Sequence, residues 1–475
     1  MSTGMFALQR PGAFSFLVFA LSIFSVSGGT LTLLASFAGT NGSSPHARLL
    51  LSTNGDFYGT TQAGGPGVSR GTVFSVSTNG VLNTLLSFNP PPYTLGADPQ
   101  AGLVQGQDGA YYGTTSSGGV SFQGTIFRVA ADGTATLSYA FTGGYDGGEP
   151  EGALLEGTNG EFYGTTWGGG FYYGGTAFEM TSGGAVNPLY SFSGSDGLNP
   201  CGSLLQGRDG NFYGVTRYGG NGYDQTDFSG LGSVFSLTPD GTLTPLVLFV
   251  GSDGAHPAGG LLQARDGNFY GTTYDGGGSG GSNGTVFRIT AAGAFTSLVS
   301  FNGTNGAHPS GELLEGWDGA LYGTTSEGGL GYDGSPGSGF GAVFKVTTNG
   351  ELTTMLRFNG VNGALPLAGL TFGYDGLFYG TTAAGGLWNQ GAVFRLSLQS
   401  PPAPTLEIAN PAPGSVSLTW AAQPGQMYQV QYTTNLYQHA WTDLAAPIAT
   451  SAVLSFSDSG ESDSGRFYRV LIPAN

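Results

Sequence analysis

Seven residues each stand immediately ahead of a proline at corresponding places along the chain: Ser44, Asp98, Glu149, Asn199, His256, His308 and Leu365. Two are carboxylates and two are imidazoles, side chains that ligate metals, move protons or hold anions. Proline disfavours helical backbone in its predecessor, so an extended conformation at the start of a strand is expected at all seven. Asp98 and Glu149 fall in successive units of the chain, as do His256 and His308, which makes these four the candidate groups around one opening of the fold. A metal ion or an anionic ligand is what such groups would meet. The plain alternative is a set of solvated polar residues at a channel entrance.

A second set lies in Gly-rich loops that differ in length and content: Trp167, Phe171, Tyr172, Tyr173, Tyr218, Tyr223, Phe228, Tyr274, Tyr332 and Trp388, with Asp224, Asp227, Asp275 and Asp333 among them. Flat aromatic faces beside carboxylates suit stacking on sugar rings, or take peptide side chains. Trp167, Tyr172, Tyr218, Tyr223, Tyr274, Tyr332 and Trp388 are therefore candidate ligand-binding residues. The competing expectation is that these rings fold back over the loops as small local cores. Established signatures of nucleophilic or metal chemistry are missing from the sequence: there is no GxSxG, HExxH, paired CxxC, Walker loop or EF-hand. No catalytic residue, metal ligand set or cofactor is assigned. A hydrolase would need two carboxylates roughly 5 to 10 Å apart, for which Glu149 or Glu151 with Glu312 are the available acids.

What positions these residues is a repeat. The octet DGNFYGTT at Asp266 to Thr273 recurs in variant form at Tyr58, Tyr112, Tyr163, Tyr213, Tyr270, Tyr322 and Tyr379, a spacing that marks an architectural unit. Around each copy run P-x-x-x-L-L, the octet, a Gly-rich loop, G-T-V-F-x-V, an Asn-Gly or Asp-Gly pair, and L-T-x-L-x-S-F. Every segment is short, apolar or β-branched, and bounded by glycine, as strands are. The Asn-Gly and Asp-Gly pairs, such as Asn54-Gly55, mark hairpins that need positive φ. In FYGTT, Phe57, Gly59 and Thr61 face one side and Tyr58 and Thr60 the other, so both sides of the sheet must be covered. Gly59 and its six counterparts would let a ring from the adjoining sheet approach the backbone.

Seven four-stranded sheets arranged radially, each sandwiched by the next, meet these demands. Thr30 to Phe37 matches the fourth strand of a unit but has no first three before it, while Gly391 to Ser397 matches a third strand with no fourth after it. The fold expected is all-β: a seven-bladed β-propeller over residues 28–397, its last blade closed by the N-terminal strand. A Pro-rich linker at 398–404 leads to a small β-sandwich at 405–475 in the fibronectin or immunoglobulin manner, with Trp420, Tyr428, Trp441 and Tyr468 as its core anchors.

Composition narrows the partners. The chain has 475 residues, 13% of them aromatic, ample for a large core, and only 9% charged. A net charge of −17 offers nothing to a nucleic-acid backbone or an anionic membrane surface. Residues 1–27 read as a secretory signal, with Arg10 closing the n-region and Ala13 to Ser25 as the h-region; no membrane span is expected after its removal. A secreted, cell-surface or periplasmic location follows. The lone Cys201 is expected to be a small buried residue.

The units FYGTT-x-x-GG, G-T-V-F and L-x-S-F resemble the GloVer repeat, found in choice-of-anchor tandem repeat proteins. The resemblance covers seven copies. It implies exported bacterial proteins tethered by one of several C-terminal sorting signals, and it brings no catalytic residues with it. The closing residues FYRVLIPAN lack the apolar tail and basic cluster of such a signal, and resemble instead the fibronectin-like domain of exported proteins. The function expected is a non-enzymatic binding or adhesion module presenting a loop-rich face to a glycan or an extracellular protein. A carbohydrate-active lyase or hydrolase, or a purely structural envelope protein, are the alternatives.

Overall fold

The protein's structure, a computed structural model, describes residues 22–26 and 29–398, apart from 68, 89–91, 225, 227–228 and 279–281, and then 406–412, 415–421, 429–433, 442–445, 453–458 and 467–471. Every regular element among the described residues is a strand, and none is a helix able to cross a membrane. Seven antiparallel sheets follow one another and form a seven-bladed β-propeller. In blade 1 the order from the centre outward is Leu50–Leu51, Phe57–Thr61, Thr72–Val76 and Leu82–Ser87, and blades 2 to 6 repeat it.

The ring closes as its ends require. Gly29–Ser36 pairs with Ala392–Leu398, Leu31 opposite Leu396 and Leu33 opposite Phe394, and so becomes the fourth strand of blade 7. Ser22–Val26 pairs outside it as a fifth strand, in the segment expected to be removed as a signal; residues 1–21 and 27 of that segment lie outside the described residues.

Each position of the octet has one job, performed around the whole ring. The Tyr of one blade stacks on the first aromatic of the next: Tyr58 on Tyr111, Tyr112 on Phe162, Tyr163 on Phe212, Tyr213 on Phe269, Tyr322 on Phe378 and Tyr379 on Phe57, with centroids 4.1 to 4.7 Å apart. At the remaining junction Tyr270 shares a cluster with Leu321. The Phe that ends each outer strand meets the third-strand Phe of the following blade edge-on, from Phe37 on Phe74 at 5.1 Å to Phe358 on Phe394 at 5.3 Å. Such ring pairs add about 0.5–1.5 kcal/mol each beyond their area burial.

Two expectations about the octet are corrected. The ring over Gly59 comes from its own blade, not the adjoining one: a methyl group there would sit 2.7 Å from Phe74 Cζ, the cross-strand partner. The bulky Phe needs the gap because it stands directly opposite the glycine. In the hairpins only the glycine takes positive φ, as at Gly55. The preceding Asn or Asp instead accepts the N–H two residues on, Asp56 N–H to Asn54 Oδ1 at 3.0 Å, and bonds the tyrosine hydroxyl, Asn54 Nδ2 to Tyr58 Oη at 2.9 Å. All seven copies repeat both contacts.

Beyond residue 405 the described strands make two three-stranded sheets, one of Leu406–Ala412, Ser415–Ala421 and Val453–Asp458, the other of Thr442–Ala445, Gln429–Thr433 and Phe467–Leu471. Of the expected anchors, Trp420 and Tyr468 fall on these strands, and Tyr428 and Trp441 lie outside the described residues.

Candidate functional site at the channel mouth

The seven residues ahead of the prolines are not extended. Their φ values lie between +51° and +56°, the left-handed region. The proline ring excludes right-handed helix, and the remaining choice is made by two backbone bonds. In this conformation the His308 N–H reaches back to the Asn283 carbonyl of the preceding blade at 2.9 Å, while the His308 carbonyl accepts Ser326 N–H of its own blade at 3.1 Å. His256 N–H reaches Leu231 in the same way, and across the closure Ser44 N–H reaches Gln390. Each costs about 1–2 kcal/mol in backbone strain, offset by clamping neighbouring blades together.

The four candidate mouth residues separate. Asp98 is engaged by Arg70, whose Nε is 3.0 Å away, and by Ser117 Oγ at 2.7 Å. Glu149 is exposed, and among the described residues nothing bonds it to Asp98. His256 and His308 do converge. Asp275 lies between them, its Oδ2 2.8 Å from His256 Nδ1 and its Oδ1 3.4 Å from His308 Nδ1, and His308 Nε2 is 3.6 Å from Glu327. Burial acts to raise the Asp275 carboxyl, but hydrogen bonds from both imidazoles outweigh it and hold the group well below the usual carboxylate range. Burial likewise opposes charge on His308, and Asp275 and Glu327 reverse it, so the imidazolium is favoured.

Three of the candidate aromatic residues gather beside this pair. Trp167 meets Tyr218 edge-on at 6.0 Å, Tyr218 lies 5.2 Å from His256, and Tyr274 lies 4.5 Å from His308. Arg217 completes the belt, its guanidinium over the Tyr274 ring at 5.0 Å and the Tyr218 ring at 5.9 Å. The local cause is a strand extension: the second strand runs two residues longer in blades 4 and 5, Phe212–Tyr218 and Phe269–Asp275, than the Phe57–Thr61 strand of blade 1. Leu198 pairs with Tyr218 and Ala255 with Asp275, which fixes these side chains at the opening. Elsewhere the expected rings do otherwise. Tyr223 and Tyr332 lie against Gly194 and Gly303, in the connections that enter their blades from the preceding ones. Tyr172 and Trp388 stand on the rim, 53% and 58% exposed.

Below the belt the central channel opens into a cavity of about 500 Å³. Its uppermost ring of side chains comes from the residue after each proline and includes His46, Gln100, Glu151, Cys201 and Ser310, with Arg217 at the edge. The next ring is Ala or Gly in every blade, because the inner strands run nearly in contact; a methyl group on Gly202 would sit 2.6 Å from Gly260 N. Deeper still, Arg48 pairs with Glu312 at 3.4 Å. Burial pushes the Glu151 carboxyl up to about 7, with Glu149 adding to the shift and Arg217 opposing it. Burial also lowers His46 to about 4 and lifts the Cys201 thiol to about 12. Among the described residues no group of three His, Cys, Asp or Glu is placed to hold a metal ion.

The profile of the Gloeobacter/Verrucomicrobia repeat matches residues 18–228 and 223–409. The chain belongs to the Gloeobacter/Verrucomicrobia repeat family. No curated protein matches it in sequence. Solved structures similar to this Gloeobacter/Verrucomicrobia repeat protein include the extracellular domain of BT3049 from B. thetaiotaomicron, at 11% identity and a TM-score of 0.49, covering 98% of this chain. The chain spans 61% of that domain's length. A gluconolactonase, XC5397 from Xanthomonas campestris, is 14% identical with a TM-score of 0.40 over 78% of this chain and 90% of its own. An α-L-arabinofuranosidase from Lactobacillus brevis is 13% identical with a TM-score of 0.29 over 71% and 92%.

Arg217, Asp275 and Glu327 are the residues whose roles sequence reasoning missed. A signal for the first was present: the fourth copy reads YGVTRY where the others read YGTT followed by other residues, and it places one of only 13 cationic side chains there.

Proposed function

We propose that this protein is an exported glycan-binding module whose ligand seats across the channel mouth between blades 3 and 6. The observation that carries this reading is a departure from repetition. At the two positions after the octet, blades 1, 2 and 7 carry Gln62-Ala63, Ser116-Ser117 and Ala383-Ala384, whereas blades 3 to 6 carry Trp167, Arg217-Tyr218, Tyr274-Asp275 and Glu327. Scaffold residues repeat because every junction needs them; blades 1, 2 and 7 pack without an arc of rings, imidazoles and charges, so the ring itself does not require one. Tyrosine hydroxyls, imidazoles and carboxylates beside apolar faces are the groups that orient a polyhydroxylated ligand.

In this reading residues 1–27 are a leader removed on export. Loss of the fifth strand, Ser22–Val26, would leave blade 7 with four strands like its neighbours, which supports that division. Residues 28–397 are then the binding body, 398–404 a linker and 405–475 a fibronectin-like sandwich, in a protein secreted or held at the cell surface or in the periplasm. The test is a glycan array probed with residues 28–475, with a reducing-end assay on each hit. Trp167→Ala and Tyr218→Ala should weaken binding at least tenfold with the melting temperature kept, and rim variant Trp388→Ala should not; unchanged binding in the first two rejects the mouth.

One observation favours a second reading, a glycan hydrolase: Glu151, pushed up to about 7 inside the channel, has the protonation range of a general acid. Among the described residues lining the cavity the other carboxylate is Glu312, which is engaged by Arg48. Reducing ends released by the native protein and not by Glu151→Gln would put this reading in place of the first.

A further inference from the structure

We propose that the mouth recognises an acidic sugar, a uronic acid residue whose carboxylate is taken by Arg217; this rests on the glycan reading above. Arg48, Arg70, Arg128 and Lys345 each have a carboxylate within 4.0 Å. Arg217 has none among the described residues, although it is turned inward to line the cavity. Its guanidinium is held by ring faces, over Tyr274 at 5.0 Å and Tyr218 at 5.9 Å. Stacking of that kind covers the plane of the guanidinium, and a hydrogen bond to the Tyr218 side chain engages one side of it; its remaining edge donors match a carboxylate in bidentate geometry.

The surrounding acids do not fill this place. Asp275 is occupied by His256 and His308, and Glu327 faces His308. Glu151 shares the cavity, and burial pushes its carboxyl up to about 7, so that the neutral form is well populated at neutral pH and dominates below it; that form donates a hydrogen bond to an incoming carboxylate instead of repelling it. The net charge of −17 is spread over the whole molecule. Charges farther than about 8 Å away are largely screened at physiological salt, so the local groups decide. A sugar, not a bare anion, is indicated by the polar lining of the cavity that Arg217 shares: Gln100, Ser203 and Ser310 offer partners for ring hydroxyls inside about 500 Å³. That volume is within the roughly 300–1,000 Å³ of small-ligand pockets.

The experiment is calorimetric titration of residues 28–475 with di- and trisaccharides of galacturonic, glucuronic, mannuronic and guluronic acid, each beside its carboxyl-reduced counterpart. At least one acid should bind ten times or more tighter than its reduced form. Arg217→Gln should abolish that preference and Arg217→Lys should keep only part of it, as loss of the planar fork requires. The comparison of acid with reduced sugar in the native protein needs no variant, so a poorly folded Arg217→Gln leaves it standing. Equal binding of acid and neutral sugars overturns the acidic assignment while keeping the glycan reading. Absence of binding by every sugar overturns both.

Discussion

Phe57 stacks on Tyr379 with ring centroids 4.1 Å apart and planes 28° from parallel, although the two belong to the first and last copies of the repeat. The contact is the same as that between Tyr58 and Tyr111 at an internal junction, 4.2 Å and 24°. The seam of the ring is therefore built like every other junction. Phe57→Ala should destabilise the protein by about 3–5 kcal/mol, as large-to-small core changes do. Tyr111→Ala should cost a similar amount in denaturant titration. An array open between its ends would make the Phe57 variant much the milder of the two.

The Asp and Tyr of the octet are joined in every copy, by Asp in five and by Asn at Asn54 and Asn159. The repeat thus contains its own control. Asp266→Asn should change stability by no more than about 0.5 kcal/mol, whereas Asp266→Ala removes bonds to both Asn268 N and Tyr270 Oη and should cost about 1–3 kcal/mol. Thermal unfolding of both variants decides between a structural and a chemical role for these acids.

Gly175 marks the join between blades 3 and 4. It has φ +93°, and a methyl group there would lie 2.7 Å from Pro200 Cδ and collide with the Thr166 carbonyl. The corresponding glycine meets the next blade's proline at each junction, including Gly391 against Pro45. Gly175→Ala should therefore exceed the roughly 1–2 kcal/mol that left-handed strain alone costs. Gly55→Ala, at φ +85° with open space around it, should show that strain alone.

Two groups in the channel ring oppose each other in pH. Glu151 titrates near 4.5 when unfolded and about 7 when folded, so its stabilisation is complete below 4.5 and lost as pH rises towards 7. His46 titrates near 6.5 unfolded and about 4 folded, so its contribution is complete above 6.5 and lost as pH falls towards 4. Each swing amounts to up to about 3 kcal/mol, at about 1.4 kcal/mol per pH unit. The two should largely cancel between pH 4 and 7. Melting curves should show Glu151→Gln growing more stable with rising pH across that window and His46→Gln growing less so; parallel curves for both would rule out the opposition.

Cys201 lies at the channel ring with 7% of its surface exposed, its sulfur 3.1 Å from the Pro257 carbonyl and its thiol pushed up to about 12. Only the thiolate is reactive. A disulfide reagent at pH 8 should label the protein only above the denaturation midpoint, and fast labelling of the native state would contradict this burial.

The closed ring was legible because its evidence is redundant: Leu31 to Phe37 matched a strand that the unit ending at Leu396 lacked, and the pairing follows. The origin of the ring over Gly59 was not legible, because alternation assigns a side chain to a face and does not say which neighbour covers it. The left-handed pre-proline residues were missed for a related reason. Proline states what its predecessor avoids, and only the bond from His308 N–H to Asn283 in another blade selects among what remains. At the site, Trp167, Tyr218 and Tyr274 were identified with Tyr223 and Tyr332, since composition does not separate a ring at the opening from one packed on a glycine of a neighbouring connection. Arg217 stands at the same position after the octet as Trp167 and Tyr274, and was passed over because the loops were read for aromatic and acidic side chains.

Gly29 lies directly opposite Leu398 in the strand pair that shuts the ring. The strand that opens the propeller and the strand that ends it therefore start and stop at the same end of blade 7, side by side. Tension applied between them would load the backbone bonds of that pair one after another, like a zipper, and not all together. Under mechanical pull the ring would give way first at blade 7, unwinding from there while the remaining blades stay folded.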